Sequence, residues 1–334
     1  MLARYRALAV DALLAELPSG ADPPYLYDLL RAYPSRPSKG LRAAICLATC
    51  AALGGEPARA LGCAAAIELF HNAFLVHDDI QDGSVQRRGE PTLHELHGVS
   101  IALNVGNATN LAGLQRIMAN RSTLGGELAW RVFVETETML RHSLEGQAIE
   151  LAWIRDNVCD LAADDYYRMC LKKTSWYTCV YPLRVGALVA GGGTGEVTAL
   201  DTFGWYVGAA FQIQDDVLNL VGDGSAYGKE ILGDLREGKR TLALIHLLDR
   251  LGGAERRRLH AFLGRTRTDR GEHDVLWVRE MMVAAGSVDY ARRCARALAD
   301  AATDAGAATL SGFPDGDDKA FLLALPDYVV TRDR

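Results

Sequence analysis

The chain has 334 residues, 49% of them hydrophobic, which is ample for one large core or two ordinary ones. Its formal net charge of −6 offers no basic surface for nonspecific nucleic-acid binding, so the partner to look for is a small molecule. The cysteines (Cys46, Cys50, Cys63, Cys159, Cys170, Cys179 and Cys294) are odd in number and scattered through apolar stretches, as free thiols in a reducing compartment are.

The N-terminal MLARYRALAVDALLAELP has helical apolar spacing with charges distributed through it, not an apolar block before a cleavage site. No uninterrupted apolar stretch reaches the roughly eighteen residues of a membrane span, so the expectation is a cytoplasmic protein without a transmembrane segment. A polar turn from Tyr33 to Gly40 leads into the Ala-rich helix LRAAICLATCAALGG, ended by Gly54 and Gly55. Glu56-Pro57 starts a long helix that runs into an acidic group. RRGEPTLHELHG reads as a loop with a short helix. Helical periodicity then covers about 100–120, 126–155, 160–190 and 198–220, with GGGTG as the break before the last. VGDGSAYGKEILGDLREGKR reads as a Gly-rich, charged loop with one helical turn, and shorter helices follow from Thr241. No useful strand alternation and no fixed-period repeat is present, so the fold class is all-α, a single helical bundle domain over 1–334 around an apolar pocket.

The first acidic group is Asp78, Asp79 and Asp82 at the end of an apolar helix. Asp78 and Asp82 stand one turn apart on one face, with Asp79 about 100° round, and carboxylates so crowded repel unless a cation intervenes. Asp215, Asp216 and Asn219 repeat the spacing after the apolar GWYVGAAFQIQ. All are hard oxygen donors, suited to Mg²⁺ shared with substrate phosphates. Lys39, Arg42, Arg87, Arg88, Lys173, Lys229 and Lys239 lie at helix ends or in Gly-rich loops, where free backbone N–H groups also bind anions. GDGSAYGKE is not a P-loop, because Glu230 follows Lys229 where a Ser or Thr is needed. His94 and His97 lack a third ligand for zinc, and His71 fits either the core or a ligand site.

Taken together these motifs resemble the trans-isoprenyl diphosphate synthases. The match runs through ExxH (Glu68 to His71), DDIQD (Asp78 to Asp82), RRG (Arg87 to Gly89), GQ (Gly146, Gln147), KT (Lys173, Thr174) and FQIxDD (Phe211 to Asp216). It continues through GK (Gly228, Lys229), GDLxEGKxTL (Gly233 to Leu242) and a C-terminal YVVTR, covering nearly the whole chain. SKGLR (Ser38 to Arg42), NVGN (Asn104 to Asn107) and DDVLNL make it most similar to geranylgeranyl diphosphate synthases of fungal and animal type. It departs from the GKRLRP pattern at Ser38 and Gly40, which leaves isopentenyl diphosphate to Lys39, Arg42, His71 and Arg88.

The resemblance implies the isoprenoid synthase fold, a homodimer, and Mg²⁺-dependent head-to-tail condensation of isopentenyl diphosphate with an allylic diphosphate, with three ions once diphosphate is bound. It assigns Asp78, Asp79, Asp82, Asp215, Asp216 and Asn219 to the metal. Arg87, Lys173, Thr174, Gln212, Lys229 and Lys239 go to the allylic substrate, with Asp78, Asp79, Asp82, Lys173, Asp215 and Lys229 as the catalytic set. Phe74, one turn before Asp78 and preceded by the small Ala73, is placed to stop the growing chain at farnesyl or geranylgeranyl length. Two alternatives share the fold. One is a terpene cyclase, which would carry an NxxxSxxxE-type second site; the other is a non-catalytic subunit of a heteromeric synthase, which would have lost its metal carboxylates.

Overall fold

The computed structural model describes residues 1–18, 20, 23–222 and 230–332. Helices follow in the order α1 (Leu2–Glu16), α2 (Pro24–Leu30), α3 (Ala32–Ser35), α4 (Leu41–Ala52), α5 (Pro57–Asp82), α6 (Leu93–His97), α7 (Val99–Ala119), α8 (Arg121–Leu124), α9 (Gly126–Arg155) and α10 (Ala163–Cys170). A π-helix (Leu171–Val180) then leads to α11 (Tyr181–Val189), α12 (Thr194–Ala199) and α13 (Asp201–Val221). Further helices are Gly233–Glu237, Leu242–Arg250, Gly253–Leu263, Glu272–Ala284, Ser287–Thr309 and Asp317–Thr331.

The fold is all-α, as the periodicity implies. Three local expectations change. The single helix read from 160 to 190 is three segments, with the π-helix in the middle. The helix read from 198 is α12 and α13. The RRG stretch, read as a loop, is an antiparallel hairpin of β1 (Gln86–Arg87) and β2 (Glu90–Pro91). Its two central residues, Arg88 (φ 56°) and Gly89 (φ 80°), both have positive φ, the arrangement of a type I′ turn.

The chain groups into two compact units. The first comprises Met1–Leu140, Tyr177–Gly204 and Thr303–Leu325. Its principal helix is α5, which packs against α7, α4 and α1. Pro57 at its first position presets the helical φ, and Gly83 at φ 63° ends it by donating to Asp79 O. This is the one described helix long and apolar enough to cross a membrane, yet 83% of its apolar window is buried inside the protein, as in a core helix. Leu13, Tyr33, Leu69, Val76, Leu93 and Val105 form part of the surrounding core. Gly40, where the resemblance called for an arginine, explains itself here. It precedes α4 at φ 61°, and a Cβ would stand 2.8 Å from Cβ of Arg6.

The second unit comprises Arg141–Trp176, Trp205–Ala302 and Pro326–Arg334. Its core joins Tyr166 and Met169 of α10 to Ile213, Val217 and Leu220 of α13, and to the helix Leu242–Arg250 through Leu244 and Leu247.

Candidate active site

In the first unit the end of α5 sorts the three aspartates by their position round the helix. Asp78 is half-buried and Asp82 is 8% exposed, whereas Asp79 is fully buried. Arg87 donates to Asp79 Oδ1 through both Nε (2.8 Å) and Nη2, and the Tyr33 hydroxyl donates to Oδ2 at 2.5 Å. Burial disfavours the Arg87 charge, but Asp79 outweighs it and holds the guanidinium above its ordinary value. Both Asp79 oxygens are therefore engaged by protein donors. Arg36 steadies the same corner. Its Nη1 donates to Arg87 O (3.0 Å), its Nη2 to Pro91 O (2.8 Å), and its guanidinium lies 4.5 Å from the Tyr33 ring centre.

One face of α5, two turns before Asp78, carries the half-buried His71 into a cluster with Arg42 and Arg88. Arg42 Nη1 lies 3.3 Å and Arg88 Nη2 lies 3.5 Å from His71 Nε2, so that nitrogen is an acceptor and the ring proton sits on Nδ1. Burial first, then the charges of Arg42 and Arg88, pulls His71 well below the usual imidazole value. Burial likewise brings Arg88 down to about 10. Arg42 Nη2 donates to the Tyr177 hydroxyl and to Thr178 Oγ1, both at 2.9 Å. His71 Nδ1 and Arg42 Nε are buried without a hydrogen-bond partner among the described residues. Desolvated cations with unanswered donors are costly by themselves and are what a diphosphate would satisfy. Tyr177 also stacks on His71 and meets Phe74 edge-on at 5.4 Å; Phe74 is half-buried and Ala73 fully buried.

The second unit builds its acidic group on α13. Asp216 accepts at Oδ2 from the Tyr166 hydroxyl (2.8 Å) and at Oδ1 from Gln212 Nε2 (2.7 Å). Thr174 in turn donates to Gln212 Oε1 at 2.8 Å. Burial, then the nearby Asp234 charge, pushes Asp216 up to about 8. Asp215 pairs with Arg332 Nη2 at 2.6 Å, and that arginine, the last residue of YVVTR, lies over the Phe211 ring. Asn219 accepts at Oδ1 from the Asp234 N–H (3.0 Å) and donates to Glu230 O (3.2 Å). Lys173, in the π-helix, is ion-paired with Glu150. The π-helix approaches α9 at Gly146, where a Cβ would lie 2.2 Å from Lys173 N, which accounts for the glycine of the GQ pair. Lys239 pairs with Glu237 at 2.7 Å. Lys229 lies outside the described residues.

Among the described residues no three His, Cys, Asp or Glu side chains converge as a metal cage. The chemistry of the donor set, carboxylate and amide oxygens, fits Mg²⁺ in kind. Sequence reasoning did not single out Tyr33, Arg36, Tyr166, Tyr177, Thr178 or Glu150, whose partners lie far along the chain.

The aspartate groups on α5 and α13 and the Arg42–His71–Arg88 cluster belong to a protein of the prenyltransferase class. The chain belongs to the polyprenyl synthetase family, whose model matches residues 23–281. A geranylfarnesyl diphosphate synthase of Aeropyrum pernix is 35% identical over 300 residues, covering 88% of this chain and 90% of that protein. The structure of a geranylgeranyl pyrophosphate synthetase from Pyrococcus horikoshii matches with a TM-score of 0.86 at 31% identity, covering 99% of this chain and 98% of that one. A polyprenyl synthase from Caulobacter crescentus, solved with calcium and isoprenyl diphosphate, matches at 0.87 and 27% identity, covering 100% and 96%. The fold is thus the isoprenoid synthase fold, and the protein is an enzyme of isoprenoid biosynthesis.

Proposed function

We propose that the protein condenses isopentenyl diphosphate head-to-tail with an allylic diphosphate and releases farnesyl or geranylgeranyl diphosphate. The observation that carries the reading is the Arg42–His71–Arg88 cluster, in which Arg42 Nε and His71 Nδ1 are buried without a hydrogen-bond partner among the described residues. A cyclase, which ionises a finished prenyl diphosphate, has no use for this second anion site.

Lys39, Arg42, His71 and Arg88 hold the isopentenyl diphosphate. Arg87, aimed by Asp79, and Lys173, Thr174, Gln212, Lys229 and Lys239 are assigned to the allylic diphosphate. Asp78, Asp82 and Asp215 would hold Mg²⁺, which would supply the positive charge that stabilises a departing diphosphate. Asp79, Asp216 and Asn219 support this set through the hydrogen bonds described above. The protein's share of the chemistry is to hold the isopentenyl double bond against the allylic carbon and keep water from trapping the cation. The carbon–carbon bond forms as the allylic C–O bond breaks, and the proton lost from the isopentenyl unit goes to the released diphosphate.

Phe74, braced edge-on by Tyr177, sets the product length. The whole chain acts as one catalytic domain, as a cytoplasmic homodimer. Supporting the dimer, Leu96, Val99, Leu103, Leu111, Met118 and Trp130 are large apolar side chains at least 47% exposed on α6, α7 and α9 of the first unit. Supporting the compartment, the seven cysteines carry free thiols.

Product analysis tests the reading. Purified protein is incubated with Mg²⁺, isopentenyl diphosphate and, in turn, dimethylallyl, geranyl and farnesyl diphosphate. Linear prenyl diphosphates of the stated lengths, formed only when both substrates are present, are expected. Hydrocarbons or alcohols made from the allylic diphosphate alone would overturn the synthase in favour of a cyclase.

A further inference from the structure

Each unit presents an Asp-Asp pair, and in each a buried phenol donates to Oδ2 of the second aspartate. Tyr33 is 2% and Tyr166 1% exposed, and their hydroxyls reach Asp79 and Asp216 at 2.5 and 2.8 Å. The other oxygen of each aspartate is given to a side chain of the diphosphate set, Arg87 in one case and Gln212 in the other. Nothing in the local sequence links these events. Tyr33 sits on the short helix α3 and reaches 46 residues along the chain; Tyr166 sits on α10 and reaches 50.

We propose that Tyr33 and Tyr166 are positioning residues for the prenyl transfer, each fixing the second aspartate of its pair as an anchor that aims a diphosphate-binding side chain. The inference rests on the reading that Asp78, Asp82 and Asp215 hold a metal-bound diphosphate. With Oδ2 tied down by the phenol, Asp79 presents Oδ1 to Arg87 and cannot swing round beside Asp78. The hold on Arg87 is double, since Arg36 lies against the Tyr33 ring and grips the Arg87 carbonyl. In the second unit the line runs from Tyr166 through Asp216 to the Gln212 amide and on to the Thr174 hydroxyl. Removing either hydroxyl leaves a buried carboxylate oxygen without its donor, and the carboxylate then turns toward the nearest alternative, dragging its partner from the diphosphate.

The test uses Tyr33→Phe and Tyr166→Phe, which keep the ring and its packing, with Asp78→Asn as reference. The full-length protein is titrated with Mn²⁺ in the presence of inorganic pyrophosphate, free ion being counted by electron paramagnetic resonance; kcat and KM for both substrates are read alongside. Both Tyr variants are expected to bind Mn²⁺–pyrophosphate about tenfold or more weakly, the scale of an outer-shell partner. Their KM for the allylic diphosphate is expected to rise by more than that for isopentenyl diphosphate. A double-mutant cycle separates positioning from packing: Tyr33→Phe added to Asp79→Asn is expected to cost nothing further, because the phenol acts through that carboxylate. Binding within twofold of wild type in both Tyr variants, while Asp78→Asn binds weakly, overturns the positioning role alone. Unchanged binding in Asp78→Asn as well would mean that the metal reading itself is wrong. Should Tyr33→Phe fail to fold, Tyr166→Phe decides the matter in the other unit.

Discussion

The two acidic groups look like copies in sequence, yet they balance charge in opposite ways. In the first unit the buried carboxylate, Asp79, is matched by a buried guanidinium. In the second, Asp216 is buried with two neutral donors and is pushed up to about 8, first by burial and then by Asp234. One carboxylate is held by an ion pair and the other by neutral donors alone. The same Asp-Asp spacing can therefore sit in either setting, depending on what the tertiary structure brings to its second member.

The sharpest way to break the comparison is to neutralise each second aspartate in turn. Asp79→Asn leaves the Arg87 guanidinium buried without a counter-charge, which costs about 3–5 kcal/mol of stability. Asp216→Asn removes a charge from a site that disfavours it. The amide can still accept from Gln212, and the Tyr166 hydroxyl can turn to accept from the new NH₂. Chemical denaturation of the metal-free proteins is expected to show a much lower midpoint for the first and an unchanged or higher midpoint for the second. Equal losses in both would mean the two groups are balanced alike after all.

How much of this was legible beforehand follows from which contacts are local. The carboxylates, Arg87, Arg88 and Lys173 announce themselves by type and local position, Gln212 only through the family resemblance, and a helical period placed most of the elements. The phenols do not, because nothing near Tyr33 or Tyr166 marks the aspartate each will meet across the fold. The π-helix Leu171–Val180 was hidden because over ten residues its apolar pattern passes for an ordinary helix. The hairpin at Arg88-Gly89 was hidden by its size, two residues per strand. Asn219 carries the spacing of a ligand, and its side chain also bonds the backbone of Glu230 and Asp234, contacts that lie beyond the reach of local spacing.

A medium-sized effect concerns the role of Tyr177 in the first unit. Phe74→Ala removes the ring that Tyr177 braces, and the product is expected to lengthen by at least one isoprene unit in the presence of both substrates, read by chromatography of the dephosphorylated alcohols. Tyr177→Phe keeps the edge-on ring but loses the acceptor for Arg42, so it is expected to raise the KM for isopentenyl diphosphate while leaving product length alone. A length change in Tyr177→Phe equal to that in Phe74→Ala would show that the hydroxyl, not the ring, shapes the floor.

The smallest effect tests the Arg42–His71–Arg88 cluster directly, through pH. His71 is held well below the usual imidazole value, first by burial and then by Arg42 and Arg88. The unfolded chain therefore takes up a proton on this side chain below about pH 6.5 that the folded protein refuses. Because the unfolded state binds more protons there, stability falls as the pH falls, by up to about 1.4 kcal/mol per pH unit from this one group. Above about pH 6.5 both states are neutral and the contribution is flat. His71→Gln keeps an acceptor for the two guanidiniums but cannot titrate, so its denaturation midpoint is expected to change less than that of wild type between pH 7.5 and 5.5, in the absence of diphosphate. Identical slopes in the two proteins would mean that His71 is protonated in the folded state, and that the cluster compensates a third charge instead of refusing it.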